Sequence, residues 1–131
     1  MIKCLAIDDE PLALRQLRTY IARVPFLELA GEFRNAIEAS QALGKLSVDL
    51  IFCDINMPDL SGIDFVRSLP AERRPMIVFT TAHSEYAVEG FRLEAVDYLL
   101  KPFGFDDFNR AVQRVRSLTE LLQNRREPSD D

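Results

Sequence analysis

The sequence predicts an α/β fold of three layers, in which helices cover both faces of a doubly wound parallel sheet. Short apolar runs alternate five times with longer stretches of helical periodicity, which is the pattern of repeated β–α units. Two of these runs, residues 50–53 and 76–79, are continuous, as expected of central strands buried on both faces. The length of 131 residues, with 47% apolar and 28% charged residues, fits one globular domain.

The first two β–α units occupy the N-terminal part of the chain. A strand at residues 2–7 precedes a helix that begins at about Pro11, which suits a first helical turn because its missing N–H needs no partner there. The apolar positions of this helix are Leu14, Leu17, Ile21 and Val24. A second strand at residues 27–33 alternates in polarity, as expected of an edge strand, and a helix at residues 36–46 follows it. The apolar positions of the second helix are Ile37, Ala39, Ala42, Leu43 and Leu46.

The third unit begins with the continuous apolar strand at residues 50–53. Ser61, followed three residues later by Asp64, forms a capping-box signature. This signature predicts a third helix that continues to Leu69.

The last two units follow the strand at residues 76–79. We expect a helix at about residues 85–92, a strand at residues 96–100 and a last helix that begins near Phe105. The apolar stripe of the last helix is Phe108, Val112, Val115 and Leu122.

Charge and apolar content exclude several classes of protein. Sixteen basic against 21 acidic residues give a formal charge of -5, which disfavours direct binding to DNA. No apolar stretch is long enough for a signal sequence or a membrane span, so we expect a cytoplasmic protein without membrane contact. Cys4 and Cys53 lie within apolar runs and are expected to be buried, reduced thiols. The polar residues 124–131 indicate a linker or disordered tail, which leaves residues 1–123 as the folded domain.

Chemically reactive side chains follow the predicted strands, at the point where each strand ends. They are Asp8, Asp9 and Glu10 after the first strand, Asp54 after the third, Thr80 and Thr81 after the fourth, and Lys101 after the fifth. Ligands of doubly wound folds bind at the carboxyl ends of the strands, so we expect these side chains to converge at one edge of the sheet.

The crowded carboxylates predict a divalent cation, because like charges in a half-buried pocket need a counter-ion or a proton. Mg²⁺ fits a site with oxygen ligands and neither histidine nor cysteine, whereas the alternative is a solvated acidic loop in which Asp9 is a helix N-cap. Lys101 favours the metal site, since a cation and an ammonium together would stabilise a transferring phosphoryl group. A salt bridge that merely neutralises the pocket is the alternative for Lys101. The Thr81 hydroxyl could add a hydrogen bond to the phosphoryl group.

The acceptor of that group is expected to be a carboxylate, because an aspartyl phosphate is a recognised covalent species and no Ser-His or Cys-His arrangement is available. The chain resembles the receiver domain of two-component response regulators over about residues 2–122. The resemblance lies in the order and spacing of Asp8-Asp9, Asp54-Ile55-Asn56-Met57-Pro58, Thr81-Ala82 and Lys101-Pro102.

The resemblance implies a role for each matching residue. Asp54 is the expected phosphoacceptor, and Lys101 and Thr81 are expected to contact the phosphoryl group. The expected Mg²⁺ ligands are Asp9, Asp54 and the backbone carbonyl of Asn56, with Asp8 acting through water. The resemblance also implies a flavodoxin-like strand order of 2-1-3-4-5 and a cis peptide before Pro102.

Two further residues match positions that control the response in that family. Tyr98 matches the switch aromatic, which turns inward when Thr81 moves toward the phosphoryl group; a packing role is the alternative. His83 lies two residues beyond Thr81, at a position that, like Asn56, influences how long the phosphate lasts. A loop histidine without such a role is the alternative.

A narrower resemblance, over residues 85–103, is to the receivers of LytTR-type (LytR/AlgR-like) transcriptional regulators, in which a DNA-binding domain follows the receiver. The broader resemblance to receiver domains implies Mg²⁺-dependent phosphorylation by a sensor histidine kinase and autodephosphorylation, without turnover of external substrates. Phosphorylation would switch the face formed by the fourth helix, fifth strand and fifth helix, through which we also expect homodimers. Because the chain stops after Asp131, either it is truncated at the linker or it is a single-domain receiver.

Three other functions compete with this one. A haloacid-dehalogenase-type phosphatase would need an acid where Asn56 stands, so proton donation to a leaving group fails. A flavodoxin-like cofactor carrier would cradle phosphate with backbone N–H groups, whereas the acidic first loop repels it and Pro11 lacks a donor. A degenerate receiver that acts as a phosphorylation-independent interaction module is disfavoured by the complete set of acidic, hydroxyl and lysine residues.

Overall fold

One five-stranded parallel sheet forms the centre of the molecule. The structure, a computed structural model, describes residues 1–86 and 94–126. Its strands are β1 (Ile2–Ile7), β2 (Leu27–Phe33), β3 (Leu50–Asp54), β4 (Met76–Thr81) and β5 (Asp97–Leu100). Their order is β2-β1-β3-β4-β5, which confirms the predicted fold class and strand order.

Helices cover both faces of this sheet. They are α1 (Pro11–Ala22), α2 (Ala36–Leu43), α3 (Gly62–Arg67) and the C-terminal helix (Phe105–Arg126), with short 3-10 turns at Ala71–Arg73 and Ser84–Tyr86. The predicted helix at residues 85–92 lies mostly outside the described residues. None of the helices in the described part of the chain is long and apolar enough to cross a membrane.

Two helix ends follow directly from local sequence. Ser61 is the N-cap of α3, and its Oγ accepts a hydrogen bond from the backbone N–H of Asp64, as the capping signature predicts. The second helix ends at Leu43, earlier than the predicted residue 46, because Gly44 takes the C-cap position.

Three predicted core positions are wrong: Ile37, Leu46 and Leu122 are exposed. Leu46 is 40% exposed because it lies beyond the end of α2 at Leu43. Ile37 is 59% exposed, because the helix face that packs on the sheet is set by its neighbours Ala36 and Ala39. Leu122 is 43% exposed, because the C-terminal helix of 22 residues is about 33 Å long and outruns strands of four to seven residues. The helix also continues through residues 124–126, while residues 127–131 of the predicted tail lie outside the described part of the chain.

The core has two halves, one on each face of the sheet. Alternation along β4 shows the division: Val78 packs with the C-terminal helix and α1, whereas Ile77 and Phe79 pack with α2 and α3. Cys4 and Cys53 are buried, free thiols, as predicted. Burial raises the pKa of the Cys4 thiol to about 12, so this cysteine is inert at neutral pH.

Candidate functional site

Three charged side chains meet where β1, β3 and β5 end. Asp8 directly follows β1, Asp54 is the last residue of β3, and Lys101 directly follows β5. The Lys101 Nζ lies 2.9 Å from Asp8 Oδ2 and 3.6 Å from Asp54 Oδ1. Both carboxylates are buried, with Asp54 only 2% exposed. The parallel sheet therefore brings together an ammonium and two carboxylates that are far apart in sequence.

The electrostatics of Asp54 are dominated by burial. Burial and the nearby charge of Asp8 raise the pKa of Asp54 to about 7, although the Lys101 ammonium lowers it. Burial alone lowers the pKa of Lys101, but its hydrogen bond to Asp8 and the charges of Asp54, Asp8 and Glu10 raise it on balance. Asp54 thus titrates near neutral pH beside a lysine that stays charged.

The first loop adds two more carboxylates. One carboxylate oxygen each from Asp8, Asp9 and Glu10 can be chosen so that all lie within 4.8 Å of one another. The Glu10 N–H donates to Asp8 Oδ1 at 3.0 Å, and Glu10 itself is the N-cap of α1, without a side-chain cap bond. The N-cap interpretation of Asp9 is therefore wrong.

The donor set of this pocket fits Mg²⁺. Every side chain of the acidic cluster offers oxygen, the ligand that Mg²⁺ prefers, and the described residues place no histidine or cysteine in it. Lys101 is a single ammonium beside two buried carboxylates, and after burial the charge of Asp8 is the next largest cause of the raised pKa of Asp54. A divalent cation would neutralise the remaining negative charge.

A hydrogen-bond network connects the loop after β3 with the end of β4. The Asn56 N–H donates to Asp54 Oδ1 at 3.3 Å, and Asn56 Oδ1 accepts from Thr81 Oγ1 at 2.8 Å. Thr81 Oγ1 also accepts from the backbone N–H of His83 at 3.1 Å. The predicted phosphoryl-contacting hydroxyl is thus held by Asn56 in this state.

The network continues to the predicted switch aromatic. The Tyr98 hydroxyl donates to the backbone carbonyl of His83 at 2.6 Å, and the ring packs at the edge of the core half that contains α3. The His83 side chain is exposed, with Nδ1 3.5 Å from Glu85 Oε1. The peptide before Pro102 is cis, as the resemblance implied.

Two residues near the site have features that the sequence did not indicate, although Thr80 was already expected among the side chains at the strand ends. Thr80 pairs with Asp54 across β3 and β4, is fully buried, and among the described residues its hydroxyl has no hydrogen-bond partner. Gly62 begins α3, and a Cβ on it would overlap the carbonyl oxygen of Asp54. A glycine at the first helical position was the available signal for a close approach, whereas nothing in the sequence distinguished Thr80 from a strand-end residue.

Comparison with known sequences gives one family. The response regulator receiver domain is the family whose sequence model matches residues 4–113. The transcriptional regulatory protein BtsR of Escherichia coli (strain K12) is 45% identical over 116 residues, which are 88% of this chain and 48% of BtsR. The sensory transduction protein LytR of Staphylococcus haemolyticus is 38% identical over 116 residues, which are 88% of this chain and 45% of LytR. The chain spans about half the length of the curated relatives it matches.

Solved structures of the same kind share the fold. The response regulatory domain of mrkE from Klebsiella pneumoniae has a TM-score of 0.84 and 34% identity, covering 92% of this chain and 99% of that domain. The response regulator TrrA from Thermotoga maritima, solved in complex with Mg(2+)-BeF, has a TM-score of 0.76 and 26% identity, covering 88% of this chain and 99% of that one.

Proposed function

The chain belongs to the response regulator receiver domain family, and on that premise we propose that it accepts a phosphoryl group on Asp54 from a sensor histidine kinase. The observation that carries this proposal is the buried Asp54 carboxylate, with a pKa raised to about 7, beside Asp8 and Lys101. A carboxylate of this kind is poised to act as a nucleophile in its ionised form.

In the proposed reaction, a phosphoryl group passes from a histidine nitrogen of the kinase to a carboxylate oxygen of Asp54. A carboxylate oxygen of Asp54 attacks the phosphorus of a phosphohistidine, so that an O–P bond forms while the P–N bond breaks. The electron pair of the broken bond stays on the imidazole nitrogen, which takes up a proton. Lys101, 3.6 Å from Asp54, stabilises the negative charge on the equatorial oxygens. In the later hydrolysis, water attacks the phosphorus, the O–P bond to Asp54 breaks, and inorganic phosphate leaves while Asp54 returns to its carboxylate. Both steps occur on the domain itself.

The residues that would hold Mg²⁺ are Asp9, Asp54 and the Asn56 backbone carbonyl, with Asp8 acting through water. When bound, the ion neutralises oxygens of the phosphoryl group. The all-oxygen donor set supports this proposal, as does the Mg(2+)-BeF complex named for TrrA. Asp8 also keeps Lys101 beside the acceptor through their 2.9 Å contact.

The proposed output is a change of surface. Thr81 moves toward the phosphoryl group, Tyr98 follows, and the face formed by the predicted fourth helix, β5 and the C-terminal helix changes its affinity for partners or for a second copy. We propose that this face controls a DNA-binding output domain of LytTR type in a cytoplasmic protein; the relatives named as transcriptional regulators support a role in transcription. Differential binding of the two states would transmit the signal.

Intact-mass measurement tests the proposal directly. The protein is incubated with Mg²⁺ and acetyl phosphate, and we expect the added mass of one phosphoryl group. Asp54→Asn should abolish the modification, whereas the matched control Asp64→Asn, which removes an exposed carboxylate on α3, should retain it. An unmodified wild type would favour the degenerate receiver, and modification that survives Asp54→Asn would overturn the assignment of Asp54.

A further inference from the structure

The one hydrogen that the Thr81 hydroxyl can donate is already used in this structure. The hydroxyl donates this hydrogen to Asn56 Oδ1 at 2.8 Å and accepts from the backbone N–H of His83 at 3.1 Å. A hydroxyl has one hydrogen to donate, so Thr81 cannot donate to Asn56 and to a phosphoryl oxygen at once. Thr81 is fully buried, which leaves it few other partners.

We propose that the Asn56 side chain is a positioning residue that holds Thr81 in its resting place and competes with the phosphoryl group for that one hydrogen. This inference rests on the proposed function and deepens it. The Asn56 side chain would make it less favourable for Asp54 to carry a phosphoryl group or its mimic. The reason is that the Asn56–Thr81 hydrogen bond must break before Thr81 can reach the phosphoryl group. Replacing Asn56 by a residue whose side chain cannot accept a hydrogen bond should therefore favour the state in which the phosphoryl group or its mimic is bound.

The surroundings of Asn56 make it suited to this role. Its backbone N–H is tied to Asp54 Oδ1, and the preceding residue, Ile55, donates to the carbonyl of Thr80 at 3.0 Å. The loop that carries Asn56 is thus anchored both to the phosphoacceptor and to β4. The backbone of Asn56 is therefore held near Thr81 by contacts that do not depend on the Asn56 side chain, and the side chain completes the arrangement through its bond to Thr81.

The backbone of His83 connects Thr81 to Tyr98, the predicted switch aromatic. The His83 peptide N–H donates to Thr81, while its carbonyl accepts from Tyr98 at 2.6 Å. A movement of Thr81 that breaks the first of these bonds removes one of the contacts that position His83, whose carbonyl accepts from the Tyr98 hydroxyl. In this way the Asn56 side chain would also set how much of the unphosphorylated protein adopts the conformation of the phosphorylated protein.

A double-mutant cycle tests the inference. Beryllofluoride, a phosphoryl mimic, is titrated at saturating Mg²⁺ into wild type, Asn56→Leu, Thr81→Val and the double variant. We expect Asn56→Leu to tighten beryllofluoride binding by about two- to tenfold, the range of one hydrogen bond, and Thr81→Val to weaken it. In the Thr81→Val background, Asn56→Leu should have no effect. Asn56→Ala, which removes the acceptor without adding bulk, should act in the same direction as Asn56→Leu.

A second measurement needs no bound ligand. In a methyl NMR spectrum of the free protein, the Thr81 signal of Asn56→Leu should move toward its position in beryllofluoride-loaded wild type. Weaker or unchanged binding in Asn56→Leu, or equal tightening with and without Thr81, would overturn the inference. Failure of the proposed function has a different signature, because wild type itself would then bind no beryllofluoride.

Discussion

The ammonium of Lys101 lies 2.9 Å from the Asp8 carboxylate, on which it acts as a resident counter-ion. Lys101 is therefore positioned both to compete with a divalent cation and to assist a phosphoryl group. These two effects have opposite signs, so they can be separated by experiment.

Replacing Lys101 by methionine should separate them. Mg²⁺ should bind more tightly to Lys101→Met, because a positive charge next to the acidic cluster is removed, while beryllofluoride should bind more weakly. Isothermal titration of each ligand measures both constants. Lys45→Met removes an exposed charge and should change neither constant. Weaker Mg²⁺ binding in Lys101→Met would show that the lysine organises the carboxylates more than it repels the metal.

The raised pKa of Asp54 predicts how stability depends on pH. The folded protein keeps a proton on Asp54 up to about pH 7, whereas the unfolded chain loses it near its ordinary pKa of 3.8. The unfolded state therefore binds fewer protons across this window, and the contribution of Asp54 makes stability fall as pH rises. Without Mg²⁺, Asp54→Asn should be more stable than wild type by about 1–3 kcal/mol at pH 8.

Urea unfolding at pH 8 and pH 4 measures this difference. The gain of Asp54→Asn should largely disappear at pH 4, where the folded carboxyl is neutral and the pH is close to the unfolded pKa of 3.8, so little of the pKa difference still acts on stability. Asp64→Asn, at an exposed position, serves as the control. An equal gain at both pH values would mean that the effect is not one of charge.

Gly62 should not tolerate a side chain. A Cβ there would overlap the Asp54 carbonyl oxygen, and the obstacle is backbone, so α3 or the end of β3 must shift. Gly62→Ala should destabilise the protein by roughly 2–4 kcal/mol in urea unfolding. At Gly44, a helix C-cap with φ of −70°, alanine meets only ordinary contacts and should be neutral or slightly stabilising. Comparable losses at both positions would contradict the steric explanation.

Thr80 should be more stable as valine. Valine has nearly the shape of threonine, and the buried Thr80 hydroxyl lacks a partner among the described residues. Thr80→Val should raise the free energy of unfolding by about 1 kcal/mol, measured by urea titration. Thr81→Val, which breaks two hydrogen bonds, should lower it. A loss of stability in Thr80→Val would show that its hydroxyl is bonded in solution.

The prediction for His83 concerns the lifetime of the phosphate. His83→Ala should change the rate at which the phosphate on Asp54 is hydrolysed. The backbone N–H of His83 donates to Thr81 Oγ1, so the imidazole extends from a residue in contact with the hydroxyl that is proposed to contact the phosphoryl group. Acetyl phosphate is removed from the phosphorylated protein, and the fraction that still carries the phosphoryl group is measured over time by intact mass. Identical decay in wild type and His83→Ala would contradict the prediction. Arg73→Ala, which changes an exposed residue just before β4 and therefore at the end of the sheet opposite the site, provides a comparison.

The fold could be predicted because it depends on patterns that local sequence records. Continuous apolar runs identify β3 and β4 as central strands, and an alternating run identifies β2 as an edge. The parallel topology then brings Asp8, Asp54 and Lys101 together whatever the details of packing, which is why their convergence was predictable.

The rest of the site depends on contacts that no local pattern encodes. The Asn56–Thr81 bond requires a particular loop path and a particular rotamer of each side chain. The exposure of Leu122 depends on the length of one helix relative to strands elsewhere in the chain. The close approach of Gly62 to Asp54 likewise appears only when α3 has been placed.

Strand β4 ends in two threonines, Thr80 and Thr81, whose side chains lie on opposite faces of the sheet. Side chains alternate along a strand, so Thr80 shares the face of Val78 and Thr81 shares the face of Phe79. An insertion or deletion of one residue within β4 would turn every side chain beyond it to the opposite face. Changes of length in descendants of this sequence should therefore accumulate in the loops, while the residue count of β4 stays constant.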